Sequence, residues 1–412
     1  MSPILYAIPF FLGLIAIELM VARKQGKEVY RFHDSVTSLN IGFVSETIRS
    51  IAKMMSIVVY AVVVEQVASV SWDIRHPGVW IVAFFMYDFC YYWAHRSGHE
   101  INLLWASHVV HHSSEEFNLS TALRQSWTNQ FFYWIFYLPM AVVGIPVSVF
   151  ATTALISALY QFWVHTRLVP KLGWIDKVWV TPSNHRCHHG RNAYCIDKNY
   201  GGTLIIWDRM FGTYTEERDD EPVVYGTLTP LKSWSPVWGN LKNYIGLGHE
   251  VRKMPGWRNK LMTIFAPPGW SAEPTQAMDT PKESFQRFET PTSPWQKVYG
   301  AAASVFILAL VLDLLTHGSE LTMAARVVWT LCIAASTASL AMLLEGKRWG
   351  IALEAIRSGL VFGALAAGYW IHAITPAQRV AGFVAGVISL AALAMLYRAT
   401  QTTTHQTTKA AP

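Results

Sequence analysis

Nine of the fifteen histidines in this 412-residue chain fall in three places: His95, His99, His108, His111 and His112; His165; and His185, His188 and His189. Neutral imidazole is a nitrogen donor suited to iron, zinc, copper and nickel, so such a concentration points to metal ligation. His95 and His99 are four apart, and a continuing helix puts both rings on one face, within reach of one ion. Each later cluster reads HxxHH, as HVVHH at 108–112 and HRCHH at 185–189. There the first histidine shares a face with the residue three or four positions on, whereas the adjacent pair diverges by about 100°. Adjacent histidines therefore tend to serve different metals, and the set divides between two ions at four or five ligands each. The donors alone do not choose the metal. His165 is included for its position rather than for a motif. His33, His76, His249, His317, His372 and His405 read as ordinary interfacial polar residues.

The elements that must position these residues are membrane helices. With 52% hydrophobic and 15% charged residues, the chain is too apolar for an ordinary soluble protein of this length. Hydropathy predicts an all-α, multi-spanning protein with about nine spans, near residues 3–22, 50–70, 78–94, 127–145, 147–164, 298–316, 322–344, 350–372 and 379–397. The first apolar segment lacks a basic leader and a cleavage site, and reads as a retained span. Arg23, Lys24 and Lys27, Arg96 and Arg124, and Lys347 and Arg348 mark loops expected on the cytosolic side, with Arg379 as an exception. His95 ends the third expected span and His165 the fifth, so all nine histidines are expected at one cytosolic membrane face. The net charge of +6 is scattered at span ends and forms no nucleic-acid-binding tract. Cys90, Cys187, Cys195 and Cys332 form no CxxC pair and read as reduced and unpaired. The expected organisation is a membrane-embedded domain at 1–245, a polar cytosolic linker at 246–296 and a four-span domain at 297–412.

Two carboxylates join the candidate site. Asp88 interrupts an otherwise apolar expected span, where an unpaired carboxylate is costly, and is expected near a ligand histidine. Glu100 follows His99 directly and is a candidate to orient a histidine tautomer or to relay a proton, against the simpler reading of a solvated interfacial carboxylate. Tyr91, Tyr92, Trp93, Trp105 and Trp127 read more readily as an interfacial belt than as a lipid channel.

The stretches YYWAHRSGHEINLLWASHVVHHSSEEFNLSTALRQS (91–126), QFWVHTRLVPKLGW (161–174) and TPSNHRCHHGRNAYCIDKNYGGTLIIWDRMFGTY (181–214) resemble the fatty acid hydroxylase and sterol desaturase superfamily of membrane di-iron enzymes, and most closely its alkylglycerol monooxygenase branch. The match covers about residues 84–225; beyond it the likeness is one of hydropathy. It implies two Fe ions, O2 and tetrahydrobiopterin acting on a membrane lipid, with hydroxylation of the carbon next to a glycerol ether oxygen. It also implies a functional role for Glu100, and a place for Asn118, Arg124, Asn184, Asp197 and Asn199 near ligands or pterin, where ordinary loop hydrogen bonding serves equally well. HPGV at 76–79 resembles the haem turn of cytochrome b5 but lacks a surrounding domain. The reductant is therefore a free pterin or a separate redox protein. The alternative within the superfamily is sterol or fatty acyl hydroxylation or desaturation with an external electron donor. A metal transporter would instead place its ligands at the midplane of spans. The host membrane is a bacterial inner membrane or the endoplasmic reticulum.

Overall fold

The computed structural model describes residues 4–272, 285–367, 370 and 375–409. It is all-helical: the described residues form no strand, only isolated antiparallel bridges that pair Trp179 with Leu204 and Gly190 with Tyr225. The chain divides into two compact units, one of Tyr6–Lys232 and Trp238–Arg287, the other of Met1–Leu5, Ser233–Val237 and Phe288–Pro412.

In the histidine-bearing unit, α1 (Ile4–Lys24) and α2 (Phe32–Val67) precede α3 (Pro77–Glu100). Pro77 opens α3, where a missing N–H costs nothing, and His76 Nδ1 accepts from the backbone N–H of Gly78 at 3.1 Å. The HPGV tetrapeptide is thus a helix start. Extended backbone at Ile101 ends α3 and turns the chain into α4 (Asn102–His112), which packs back against α3. The short α5 (Leu119–Ala122) is capped by Asn118, whose side-chain oxygen accepts from Ser120 N at 3.0 Å.

The single span expected at 127–145 is not one helix. It is broken into α6 (Asn129–Phe132), a 3-10 turn over Tyr133–Tyr137 and α7 (Leu138–Val142). Apolar composition suggests continuity, but the 3-10 turn breaks the helix before Pro139 in the first turn of α7, and Gly144, in the left-handed region (φ 89°), turns the chain after it. α8 (Val147–Trp163) follows, then α9 (Pro182–His188) and α10 (Ile206–Phe211). α11 (Pro236–Lys253) and α12 (Trp257–Phe265) occupy the first part of the segment expected to be a linker. α12 is tied to the start of α4: Asn102 donates from its backbone N–H to Ala266 O and from Nδ2 to Thr263 O, both at 3.0 Å. Residues 273–284 of the expected linker lie outside the described residues.

The second unit contains α13 (Pro294–His317), α14 (Met323–Leu344), α15 (Gly350–Ala367) and α16 (Pro376–Lys409). Among the described residues these are the four helices long and apolar enough to cross a membrane, five if the bent pair Phe32–Ala52 and Ser56–Val67 counts as one span. The protein is a multi-pass membrane protein. Glu354 is fully buried in this second unit, paired with Arg357 at 2.9 Å and accepting from Tyr299 Oη at 2.8 Å and from Ser339. His372 lies outside the described residues.

Candidate metal centre

All nine histidines are buried and converge in two groups. His95, His99, His108, His112 and His188 form one, and His111, His165, His185 and His189 the other; within each, one ring nitrogen per residue lies within 4.8 Å of the rest. The helices explain this division. His95 and His99 are one turn apart on α3 and face His108 and His112, one turn apart on α4. His111 and His188 each point away from their immediate neighbours, so the pairs His111–His112 and His188–His189 are both split between groups. The first residue of each HxxHH goes with the last: His108 with His112, and His185 with His189.

Backbone carbonyls fix several rings. His95 Nδ1 donates to Tyr200 O at 2.8 Å, His111 Nδ1 to Arg124 O at 3.1 Å, His165 Nδ1 to Gln161 O at 2.8 Å and His188 Nδ1 to Lys198 O at 2.9 Å. A carbonyl accepts only, so the proton sits on Nδ1 and the lone pair of Nε2 faces inward. His111 Nε2 and His165 Nε2 then bring two lone pairs within 3.2 Å of each other. Such an approach is repulsive between bare imidazoles and favourable around a shared cation. His99 Nε2 and His188 Nε2 are buried with no hydrogen-bond partner. Burial, reinforced by neighbouring rings, holds His108, His112, His185, His188 and His189 well below the usual histidine pKa; burial brings His111 to about 4. These six rings are neutral donors at pH 7, the form a metal needs. The donor set fits two transition-metal ions.

The loop of Asp197 and Asn199, both singled out in the sequence, supports the five-histidine group, and the two residues that give it carbonyls, Lys198 and Tyr200, carried no motif. Asp197 Oδ1 lies 3.4 Å from His99 Nδ1, and Lys198 and Tyr200 supply the carbonyls for His188 and His95. Asp197 and Asn199 hold left-handed backbone (φ 55° and 59°), which aims the carbonyls inward. Asn199 stabilises this turn by accepting from Thr215 N at 2.8 Å and donating to Asn184 O at 3.0 Å. Two carboxylates staple the loop. Asp208 accepts from Tyr200 N and Gly201 N, each at 2.7 Å. Asp88 accepts from Thr203 N at 2.7 Å, Leu204 N at 3.0 Å and Trp207 Nε1 at 2.9 Å. Asp88 therefore acts on this loop through Thr203, Leu204 and Trp207.

Both oxygens of Glu100 accept from Arg96 Nε, at 2.9 and 3.0 Å. Arg124 is buried, with Nη2 on Asp34 Oδ1 at 3.1 Å, Nε on Ser38 and Nη1 on Ser113. These bonds hold the backbone that receives His111. Asn118 caps α5, and in α9 the cap is Thr181, whose backbone N–H donates to Asn184 Oδ1 at 3.1 Å. Trp105 packs on His99 with ring centroids 5.0 Å apart, and Phe117 stacks between His165 (5.6 Å) and Tyr225 (5.0 Å). These aromatic walls keep water from the rings. The four cysteines are free.

The fatty acid hydroxylase family model matches residues 80–213, which contain all nine histidines. Alkylglycerol monooxygenase of Homo sapiens is 36% identical over 359 residues, covering 85% of this chain and 80% of that protein. The Danio rerio alkylglycerol monooxygenase is 39% identical over 387 residues, covering 90% and 84%. The ornithine lipid hydroxylase OlsE of Rhizobium tropici is 30% identical over 145 residues, covering 34% and 44%. No solved structure matches the chain. Likeness at this level over most of both partners' length makes the chain a member of the alkylglycerol monooxygenase family, an oxidoreductase with a fatty acid hydroxylase domain.

Proposed function

We propose that the chain is a membrane monooxygenase that hydroxylates the carbon next to the ether oxygen of glycerol ether lipids, with two Fe ions, O2 and tetrahydrobiopterin. The observation that carries this reading is the pair of buried imidazole groups, with five and four donors, in a chain whose relatives are named alkylglycerol monooxygenases. Iron, when bound there, supplies the redox capacity to use O2 on a C–H bond, which zinc lacks. The tetrahydrobiopterin assignment follows from the family resemblance of the histidine-rich stretches.

The protein's own residues do the positioning. Tyr200, Lys198, Arg124 and Gln161 carbonyls hold four imidazoles in a single tautomer, so their inward nitrogens need no reorganisation. Trp105 and Phe117 exclude water beside the rings. Hydroxylation next to the ether oxygen gives a hemiacetal, which breaks down to an aldehyde and glycerol. We place the site on the cytosolic face, on the support of Arg23, Lys24 and Lys27 after the first apolar helix and Arg96 beside the cluster.

Membranes containing the full chain, given an alkylglycerol with and without tetrahydrobiopterin, test this function by aldehyde release. Pterin-dependent aldehyde is the expected result. Turnover of a sterol or fatty acyl lipid with an external electron donor, and none of ether lipid, would replace the substrate assignment.

A further inference from the structure

Helices α11 and α12 both carry an apolar face that points away from the protein. On α12, Thr263 faces the protein at 2% exposure, while Trp257, Leu261 and Phe265, successive fourth residues on one face, are 76%, 45% and 58% exposed. On α11, Asn240 is buried, its Oδ1 accepting from Ser126 Oγ at 3.2 Å and from Trp127 N at 3.1 Å. Trp238, Leu241 and Ile245, spaced three and four apart, stand out from the opposite side. A helix on a water-facing surface does the reverse, burying its apolar stripe and exposing its polar one.

Neither helix is a span by length and composition, so each outward apolar face meets an apolar surface without crossing it. Charge complementarity identifies the surface. Arg252, Lys253, Arg258 and Lys260 are exposed at the end of α11 and on α12, against a single acidic residue in these helices, Glu250, while Lys242 turns inward to donate to Pro230 O at 2.6 Å. Basic residues beside an apolar face match anionic lipid headgroups above acyl chains. We propose that α11 and α12 lie in the membrane interface, their apolar faces about 5–10 Å into the headgroup and acyl boundary, and their basic residues on anionic lipid phosphates. Because Asn102 ties α12 to the start of α4, this lipid surface borders the helix that carries His108, His111 and His112. The inference rests on membrane residence alone and stands whichever lipid is the substrate.

The test uses the full chain in nanodiscs of phosphatidylcholine, with and without phosphatidylglycerol. An environment-sensitive fluorophore is attached at Ile245→Cys or Leu261→Cys in a Cys332→Ser background, with Arg218→Cys as the water-facing control. Labels at 245 and 261 are expected to be blue-shifted and quenched several-fold more by a lipid carrying a nitroxide high on its acyl chain than the control label, and several-fold less by iodide. Phosphatidylglycerol is expected to strengthen lipid quenching, and Arg258→Gln with Lys260→Gln to remove that increment. Iodide quenching equal to the control overturns the proposal. So does protection from both quenchers that appears only in discs holding two copies, since protein would then cover the faces.

Discussion

The Nδ1–H of His95 donates to the carbonyl oxygen of Tyr200 at 2.8 Å, across 105 residues of chain. That bond commits His95 Nε2 to the cluster, where it lies 3.0 Å from His108 Nε2. The Tyr200 amide is in turn bound by Asp208, so a carboxylate remote from the rings sets the orientation of one of them. Asp208→Asn places an amide N–H against backbone N–H groups and is expected to destabilise the loop by about 1–3 kcal/mol. Metal content should fall, measured by elemental analysis of the purified protein, and full metal loading with unchanged thermal stability would refute this role.

Asp88 has a different expected signature from an acid–base catalyst. Its oxygens are occupied by the N–H groups of Thr203, Leu204 and Trp207. Asp88→Asn should lower thermal stability by about 1–3 kcal/mol while leaving the shape of the pH–rate profile unchanged. Loss of one limb of that profile, with stability intact, would instead make Asp88 a proton carrier.

The two histidine groups predict unequal tolerance. His111→Ala takes one donor from a group of four, and His188→Ala one from a group of five. Both should abolish activity, and metal loss should be greater for His111→Ala, while membrane insertion is kept. Activity and metal retained in either variant would contradict the ligand assignment.

Acid should unload and loosen the site. The folded-state pKa of His111 is depressed to about 4, against about 6.5 for an unfolded histidine. Between those values the unfolded chain binds more protons, so stability is full above pH 6.5 and falls as pH drops toward 4, by about 1.4 kcal/mol per pH unit for each such ring. Thermal unfolding of metal-free protein between pH 7 and 5 measures this, and a flat profile would count against buried neutral imidazoles.

In the C-terminal unit, Glu354→Leu strands the buried Arg357 and should cost about 3–5 kcal/mol. Removing both charges, as Glu354→Leu with Arg357→Leu, should recover most of that loss. Melting temperatures in detergent decide it; a double variant no better than the single one would show that the ion pair itself holds the bundle.

The sequence by itself determined the histidine donors offered as candidates, the helical character and the logic of the adjacent pairs, because spacings of three and four translate directly into helix faces. It also marked the apolar segments, since hydropathy is a sum over local residues. Only the tertiary structure decided which histidines share a group, because His165 and His185 meet His111 through folds of the chain that no local pattern encodes. The same holds for Lys198 and Tyr200, whose contribution is a backbone carbonyl that every residue type possesses. Hydropathy read 127–145 as one span because it averages over positions, whereas Gly144 and Pro139 act on the backbone one residue at a time. Composition likewise made 246–265 look like linker, since a helix with an apolar outer face and a polar inner one averages to neither; which side faces the protein is fixed only when α12 packs on α4.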